Sequence, residues 1–194
     1  LSIGSLADAV VRVARMLGIE RAHFVGHSMG TIVCQHIAVN EPRLVRSLAL
    51  FGPLLAPPEP ARQAMRDRAA RARAEGMGAI VDVIVQAATS GDTKSSNPVA
   101  VALVRELLMR QDAEGYARSC EALAGAEAAD VRRIACPVLL VTGDEDGVAS
   151  PSNVRAMAEQ INGARVVILN RCGHWATLER AAECSAALKE FLAG

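Results

Sequence analysis

The chain has 194 residues, 51% of them hydrophobic and 22% charged, and its 21 basic side chains balance its 21 acidic ones. This composition is typical of one globular domain, with room for an inserted subdomain, and it excludes a disordered tail protein. A net charge of zero gives no reason to expect a nucleic-acid partner. No apolar run approaches the roughly 20 residues of a membrane span, so none is expected.

The cysteines also narrow the class of protein. They are scattered, odd in number and form no Cys-x-x-Cys pair, which argues against a disulfide framework and against a zinc site. Residues 1–20 are typical of an amphipathic helix with charges throughout, not of a signal peptide. We therefore expect a protein of a reducing compartment, the cytoplasm. The five cysteines are Cys34, Cys120, Cys136, Cys172 and Cys184.

The first part of the chain alternates helical and strand patterns. Leu6, Val10, Val13 and Leu17 recur at helical spacing, and Gly18 ends the run. Short apolar runs bounded by glycine predict buried strands. The elements predicted here are a helix over 5–17, a strand over 22–26, a helix over 29–40 and a strand over 47–52.

A cluster of prolines then interrupts the pattern between residues 53 and 60. Residues 61–134 contain no strand-like run bounded by turns, and they predict three or four helices with one loop at 89–98. After Pro137 the alternation of strands and helices resumes. The elements predicted there are a strand over 138–143, a helix over 152–161, a strand over 165–170 and a helix over 177–192.

This order of elements indicates the architecture. Strands that alternate with helices predict right-handed crossovers and a parallel sheet. A long helical block between two such strands predicts a lid over the sheet. We therefore predict an α/β protein with a core formed by residues 1–52 and 135–194 and a helical cap formed by residues 53–134.

The stretch HFVGHSMGT places Ser28 between a predicted strand and a predicted helix, with Gly26 and Gly30 on either side. The Gly-x-Ser-x-Gly pattern is typical of a nucleophile elbow, a strained turn in which strand and helix approach so closely that only small residues fit there. The turn also puts the amide of Met29 at the start of a helix, where it can stabilise an oxyanion. The alternative is a plain glycine-flanked turn.

An elbow serine needs a histidine base, and the chain offers four histidines. His174 follows the last predicted strand, in the loop RCGHWAT, from which it can reach the top of the sheet. His23 lies in the strand before the elbow and His36 in the helix after it, so we expect packing or helix-face roles for both. His27 adjoins the serine, but the sharp turn should point its side chain elsewhere, and we expect a structural role.

The acid should come from the loop GDEDG, which follows the predicted strand over 138–143, between the elbow and the histidine loop. Asp144, Glu145 and Asp146 all lie in it, and the residues alone do not choose among them. Such a set predicts acyl transfer: His174 takes the proton of Ser28, Ser28 attacks a carbonyl, and water then cleaves the acyl-enzyme.

These motifs resemble those of the α/β-hydrolase superfamily over essentially the whole chain. VGHSMG resembles the elbow, PVLLVTGDEDGVASP the strand and acid loop, and CGHW the histidine loop. The superfamily pattern Gly-x-x-Asp falls on Gly143 and Asp146, which implies that Asp146 is the acid, and CGHW implies that His174 is the base. The resemblance implies an α/β-hydrolase fold with a mainly parallel sheet and an inserted helical cap.

Within the superfamily the chain most resembles 3-oxoadipate enol-lactonases, through RARAEGMGAIVDVIV in the cap and DAEGYARSCEALAGAEAADVRRIACPVLLVTGDED at its exit. Such an enzyme opens a small unsaturated lactone that carries a carboxylate, with no cofactor and no metal ion. A cation should then bind the carboxylate. Trp175 adjoins the base and could form a wall of the pocket, with core packing as the alternative. The arginines considered for the carboxylate are Arg73, Arg105, Arg110 and Arg118.

The chain departs from this resemblance before the elbow. In the superfamily several strands precede it, and the loop after the third strand gives the second oxyanion donor, often in a His-Gly motif. This chain begins at Leu1 in the helix before the elbow strand and has no His-Gly pair. We therefore expect an N-terminally incomplete sheet of about four strands with an exposed edge, where the chain could self-associate. Without a second donor the barrier would rise by roughly 2.7–4 kcal/mol.

Three explanations fit this departure: a longer native protein, which we favour, a second copy or fragment that completes the sheet, or a natural truncation. Three functions also compete. The first is a serine hydrolase of a small ester or lactone, and the second is a general carboxylesterase or carbon–carbon bond hydrolase. The third is a catalytically silent binding module, which the missing oxyanion segment favours and the presence of Ser28, Asp146 and His174 opposes.

Overall fold

The computed structural model describes residues 1–194. Four strands and ten α-helices follow one another along the chain, with a short 3₁₀ turn at Val131–Arg133. The elements are α1 Ile3–Met16, β1 Ala22–His27, α2 Met29–Asn40, β2 Val45–Phe51, α3 Glu59–Glu75, α4 Gly78–Ala88, α5 Gly91–Ser96, α6 Pro98–Met109, α7 Ala113–Ala124, β3 Val138–Gly143, α8 Pro151–Ala158, β4 Arg165–Leu169, α9 Ala176–Glu179 and α10 Ala181–Ala193.

The strands form one parallel sheet in the order β1-β2-β3-β4, which confirms the predicted α/β class. Successive residues of a strand face opposite sides of a sheet. Accordingly, Leu48 and Leu50 of β2 pack in a cluster with α1, α2 and α8. Their neighbours Ala49 and Phe51 pack in a second cluster with α10. Helices therefore cover both faces of the sheet, as a buried parallel sheet requires.

Helix α1 is present, but its buried face is not the one that the apolar spacing suggested. Val13 and Leu17 are 55% and 69% exposed, whereas the smaller residues Ala7 and Ala14 are buried. The other buried residues of α1 are Ile3 and Val11, and the helix packs directly against α2. Val25 of β1, an edge strand paired only with β2, is also exposed. No helix is long and apolar enough to cross a membrane.

Helices α3 to α7, here named the cap helices, lie between β2 and β3 and build a hydrophobic cluster of their own. The stretch 89–98, predicted as a loop, contains helix α5 and the start of α6. The cause is local capping: the Ser90 hydroxyl accepts a hydrogen bond from the amide of Thr93 at 3.0 Å, and the Asn97 side chain accepts one from Ala100 at 3.1 Å. The division of the chain into core and cap domains stays a prediction.

The turn between β1 and α2 has the geometry that the elbow motif predicts. Ser28 has a φ of 51°, a left-handed conformation that non-glycine residues seldom adopt. A Cβ atom at Gly26 would lie 2.6 Å from the backbone oxygen of Gly30. A Cβ atom at Gly30 would meet nothing within 4 Å. The close approach therefore demands a glycine at position 26, and the expectation that position 30 must also be small is wrong.

We predict opposite effects of alanine at these two glycines. Gly26→Ala should lower the free energy of unfolding by about 1–3 kcal/mol, because the new methyl group collides with helix α2. Gly30→Ala is the matched control and should raise it by a few tenths to about 1 kcal/mol, since alanine is the better helix former. Urea unfolding followed by circular dichroism measures both, and equal destabilisation would contradict the asymmetry.

Candidate active site

Three loops at the carboxyl edge of the sheet bring the predicted site residues together. Ser28 directly follows β1, Asp146 lies three residues after β3, and His174 lies five residues after β4. Because all strands are parallel, their carboxyl ends meet at one edge of the sheet. Strand β2 also ends at this edge, beside the elbow. The amide of Ser28 donates a hydrogen bond to the carbonyl of Phe51, the last residue of β2, at 3.0 Å.

The three side chains form a continuous chain of hydrogen bonds. His174 Nε2 lies 2.8 Å from Ser28 Oγ, and His174 Nδ1 lies 2.8 Å from Asp146 Oδ2. Asp146 can only accept when ionised, so Nδ1 carries a proton and Nε2 is free to accept from the serine hydroxyl. His174 and Asp146 are 7% and 3% exposed. This arrangement suits a serine whose proton is removed by a histidine that a carboxylate orients.

Asp146 is held in its ionised form by its surroundings. Its Oδ1 accepts from the amides of Val148 and Ala149, both at 2.8 Å. Burial opposes ionisation, but the hydrogen bond and charge of His174 and these two amides outweigh it, so the pKa of Asp146 lies below its usual value. Asp146 therefore remains an anion beside the imidazole at neutral pH.

The other two acids of the same loop have different partners. Asp144 accepts from the amide of Cys172 at 3.0 Å, and Glu145 accepts from the amide of Gly91 at 2.8 Å. Both side chains connect neighbouring segments to the acid loop by these hydrogen bonds, and neither is hydrogen-bonded to the imidazole of His174. The contacts thus single out Asp146 where the residues alone left three alternatives open.

A cavity of about 270 Å³ opens on Ser28 and lies between the sheet and the cap helices. Most of its walls are apolar, and Arg68 is its only charged residue. Trp175 forms part of the cavity wall and also packs against the hydrophobic cluster of the cap helices. It therefore has both of the positions that the sequence analysis gave as alternatives. The lining residues are Ser28, Met29, Met65, Arg68, Ile84, Ala87, Ala88, Leu108, Tyr116, Ser119, Cys120, Leu123, Val148, His174 and Trp175.

The four arginines considered for carboxylate binding do not line this cavity. Each forms an ion pair on the outside of the cap helices, where exposed side chains lie within reach of one another. Sequence spacing missed Arg68, because its place in the wall depends on how α3 packs against α7. The ion pairs are Arg73 with Glu114 and Glu121, Arg105 with Asp82, Arg110 with Glu106 and Arg118 with Glu114.

The sequence matches the family described as "Alpha/beta hydrolase family" over residues 2–187. The chain belongs to the alpha/beta hydrolase family.

Individual alpha/beta hydrolases are similar over most of this chain. It is 28% identical over 168 residues to 3-oxoadipate enol-lactonase 2 of Acinetobacter baylyi, covering 86% of this chain and 62% of the relative. It is 27% identical over 183 residues to a carbamate hydrolase, RutD, of Stutzerimonas stutzeri, covering 89% and 66%. The chain thus spans slightly less than two thirds of the length of these two relatives.

A solved structure is similar at the level of the whole fold. The enol-lactonase of Burkholderia xenovorans LB400 is 31% identical to this chain. The superposition of the two structures has a TM-score of 0.93 and covers 100% of this chain and 74% of the enol-lactonase chain. The observed fold is therefore the alpha/beta-hydrolase fold that the resemblance implied.

His27 contacts the base loop of this alpha/beta hydrolase, contrary to the expectation that it points elsewhere. Its Nε2 lies 2.8 Å from the carbonyl oxygen of His174, and since a carbonyl can only accept, Nε2 carries the proton. Its ring centroid lies 5.1 Å from that of His174 and 5.5 Å from that of Trp175. Burial and the neighbouring imidazole of His174 lower the pKa of His27, so it stays neutral beside the candidate base.

A second serine–histidine pair lies at the opposite edge of the sheet. His23 Nδ1 is 2.7 Å from Ser47 Oγ, in a groove near the amino ends of the strands. No carboxylate is hydrogen-bonded to His23, and no helix begins at Ser47 to supply amides to an oxyanion. This pair therefore lacks both the carboxylate and the oxyanion amides that acyl transfer needs.

We predict that Asp146→Asn lowers stability at neutral pH and that the difference from wild type shrinks in acid. The pKa of Asp146 in the native state lies below its value in the unfolded chain, about 3.9. Its stabilising contribution is therefore complete at neutral pH, begins to decline near pH 5 and is lost as the pH falls through the native pKa. Urea unfolding at several pH values measures this, with the exposed Asp8→Asn as control. A gap that widens toward acid pH would contradict the assignment.

Proposed function

We propose that this chain provides the catalytic centre of a serine hydrolase that cleaves a small ester or lactone through an acyl-enzyme on Ser28. The observation that carries the proposal is the pair of 2.8 Å hydrogen bonds that join Ser28, His174 and Asp146 beside an apolar cavity. The similar enol-lactonases and the carbamate hydrolase are hydrolases by name.

The reaction begins with proton transfer from Ser28 to His174 as the hydroxyl oxygen attacks the substrate carbonyl. Asp146 stabilises the imidazolium that forms, because its carboxylate remains ionised. His174 then protonates the leaving alcohol or enol, and the acyl group stays on Ser28. A water molecule then gives a proton to His174 and attacks the acyl group, and His174 returns the proton to Ser28 as the carboxylic acid product leaves.

Met29 is proposed to stabilise the oxyanion of both steps. It is the first residue of α2 and lines the cavity next to Ser28. The first amides of a helix have no partner inside the helix and carry the positive end of its dipole. The amide of Met29 therefore suits a developing negative charge at the attacked carbonyl.

The substrate proposed for this centre is an enol-lactone that carries a carboxylate, as the enol-lactonase relatives suggest. Support comes from Arg68, which lines the cavity, is half-buried and has no carboxylate within 4.0 Å. Its Nη1 lies 3.9 Å from Met65 Sδ. A guanidinium without an acidic partner in a largely apolar wall favours an anionic ligand. Cavities for drug-sized ligands are about 300–1,000 Å³, so the cavity of about 270 Å³ suits a small one.

Self-association through the edge of β1 and a cytoplasmic location remain predictions. Size-exclusion chromatography with light scattering would address the first of them. The alternative activity, a general carboxylesterase, differs from the lactonase mainly in its indifference to substrate charge.

We predict that a fluorophosphonate probe labels Ser28 and that Ser28→Ala abolishes the labelling. Labelling needs the serine and its base but no complete turnover, so it reports on the triad even when deacylation is slow. Ester hydrolysis by Ser28→Ala should fall by about 10⁴-fold or more. Ser119→Ala removes another hydroxyl from the same cavity and should label normally. A folded wild-type protein that does not react would refute the serine-hydrolase proposal.

We predict that Arg68→Met discriminates between charged and neutral esters. For the p-nitrophenyl monoester of succinic acid, kcat/KM should fall about 10- to 100-fold, the value of one charged hydrogen bond. For p-nitrophenyl butyrate it should change less than about threefold, because the methionine keeps most of the packing of the arginine stem.

Arg71→Met is the matched control for that comparison, since Arg71 lies on the same helix and pairs with Glu75 outside the cavity. It should leave both esters unaffected. An equal loss for both esters in Arg68→Met would assign a packing role to Arg68. A wild-type preference for the neutral ester would favour the general carboxylesterase.

A further inference from the structure

One buried carboxylate beside the candidate site is used neither by the triad nor by an ion pair. Glu179, the last residue of α9, is 4% exposed. No arginine or lysine nitrogen lies within 4.0 Å of its carboxylate oxygens. A buried carboxylate without a cation is costly unless hydrogen bonds satisfy its oxygens, so its partners explain why an acid stands there.

Three backbone amides converge on this carboxylate. Oε2 accepts from Ser90 at 2.8 Å and from Gly173 at 3.1 Å, and Oε1 accepts from Trp175 at 3.1 Å. Gly173 and Trp175 are the residues immediately before and after His174. One side chain therefore holds the amides of both residues that flank the candidate base.

The third amide belongs to the cap helices, not to the base loop. Ser90 lies between α4 and α5, and the same segment makes a second contact, since the amide of His174 donates to the carbonyl of Ala88 at 2.8 Å. The fit is tight: a Cβ atom at Gly173 would lie 2.7 Å from Ala88 O, 2.8 Å from Ser90 N and 2.9 Å from Glu179 Oε1. Ala88 also lines the substrate cavity.

We propose that Glu179 is a positioning residue for His174 and that it joins the base loop to the cap segment 88–90. The inference rests on the proposed function for its effect on catalysis. Only an acceptor with two free oxygens can bind all three amides, so glutamine, which replaces one oxygen with a donor, must leave at least one amide unpaired. His174 then loses its fixed distance to Ser28, and reactions that depend on this alignment slow down.

The first experiment compares Glu179→Gln with Glu183→Gln, an exposed acid in the first turn of α10. In Glu179→Gln, kcat for p-nitrophenyl butyrate and the rate of fluorophosphonate labelling should each fall about 10- to 100-fold, while KM changes less than about threefold. Glu183→Gln should match wild type. Circular dichroism and urea unfolding at the assay temperature verify that the variant is folded. A folded Glu179→Gln with the wild-type kcat would overturn the proposal.

A second pair of variants isolates the link to the cap. Ser90 has a φ of −65°, which fits proline, and Thr89 before it is extended, as proline requires. Ser90→Pro removes the amide, whereas Ser90→Ala keeps it, and both remove the capping hydroxyl. Ser90→Pro should lower kcat several-fold relative to Ser90→Ala. Equal rates in the two variants would show that the cap contact does not position the base.

A spectroscopic readout separates this proposal from the proposed function. The proton between His174 Nδ1 and Asp146 should give a low-field ¹H NMR signal in wild type, and Asp146→Asn assigns it by its loss. Glu179→Gln should shift or broaden this signal, whereas Glu183→Gln should not. A wild type that neither labels nor hydrolyses esters refutes the serine-hydrolase function alone. An unchanged signal in Glu179→Gln refutes the positioning role, whatever the activity.

Discussion

The hydrogen bond between His174 and Ser28 joins residues that are 146 positions apart in the sequence, and most of the architecture serves to bring them together. These two side chains meet at 2.8 Å because the loops that carry them leave the same edge of the sheet. Parallel strands provide that edge, and the crossover helices that make them parallel bury both faces of the sheet. The site therefore depends on the parallel direction of the strands and on the crossover helices between them, not on any single local segment.

The elements that the sequence predicted well are those with a strong local cause. The strands appear as short apolar runs, and their predicted ends lie within two residues of the observed ones. The elbow carries Gly26 because a strand and a helix approach closely there. Helix α5 escaped prediction because its residues are mostly polar, and its formation depends on the cap at Ser90. The buried face of α1 differs from the predicted one because Ile3, Ala7, Val11 and Ala14 pack in the core, and the helical spacing of the other apolar residues does not indicate which face does so.

The candidate site was predictable in its residue types and only partly in its contacts. Residue order placed a serine, an acidic loop and a histidine, and the resemblance chose Asp146, but the partners of Asp144 and Glu145 depend on the fold. Arg68 and Glu179 gave no sequence signal, since an unpaired arginine and a buried glutamate are defined by what surrounds them. The catalytic roles of the triad residues remain predictions that labelling can test.

The separate hydrophobic cluster of the cap helices has an evolutionary consequence. Most residues that line the cavity belong to these helices, whereas Ser28, Asp146 and His174 stand on loops of the sheet. Substitutions that reshape the cavity can therefore accumulate without disturbing the sheet core, and new substrates become accessible while the chemistry is inherited unchanged. The segment 88–90 limits this freedom. A cap with a changed sequence must still place the amide of Ser90 within reach of Glu179 and the carbonyl of Ala88 within reach of the amide of His174.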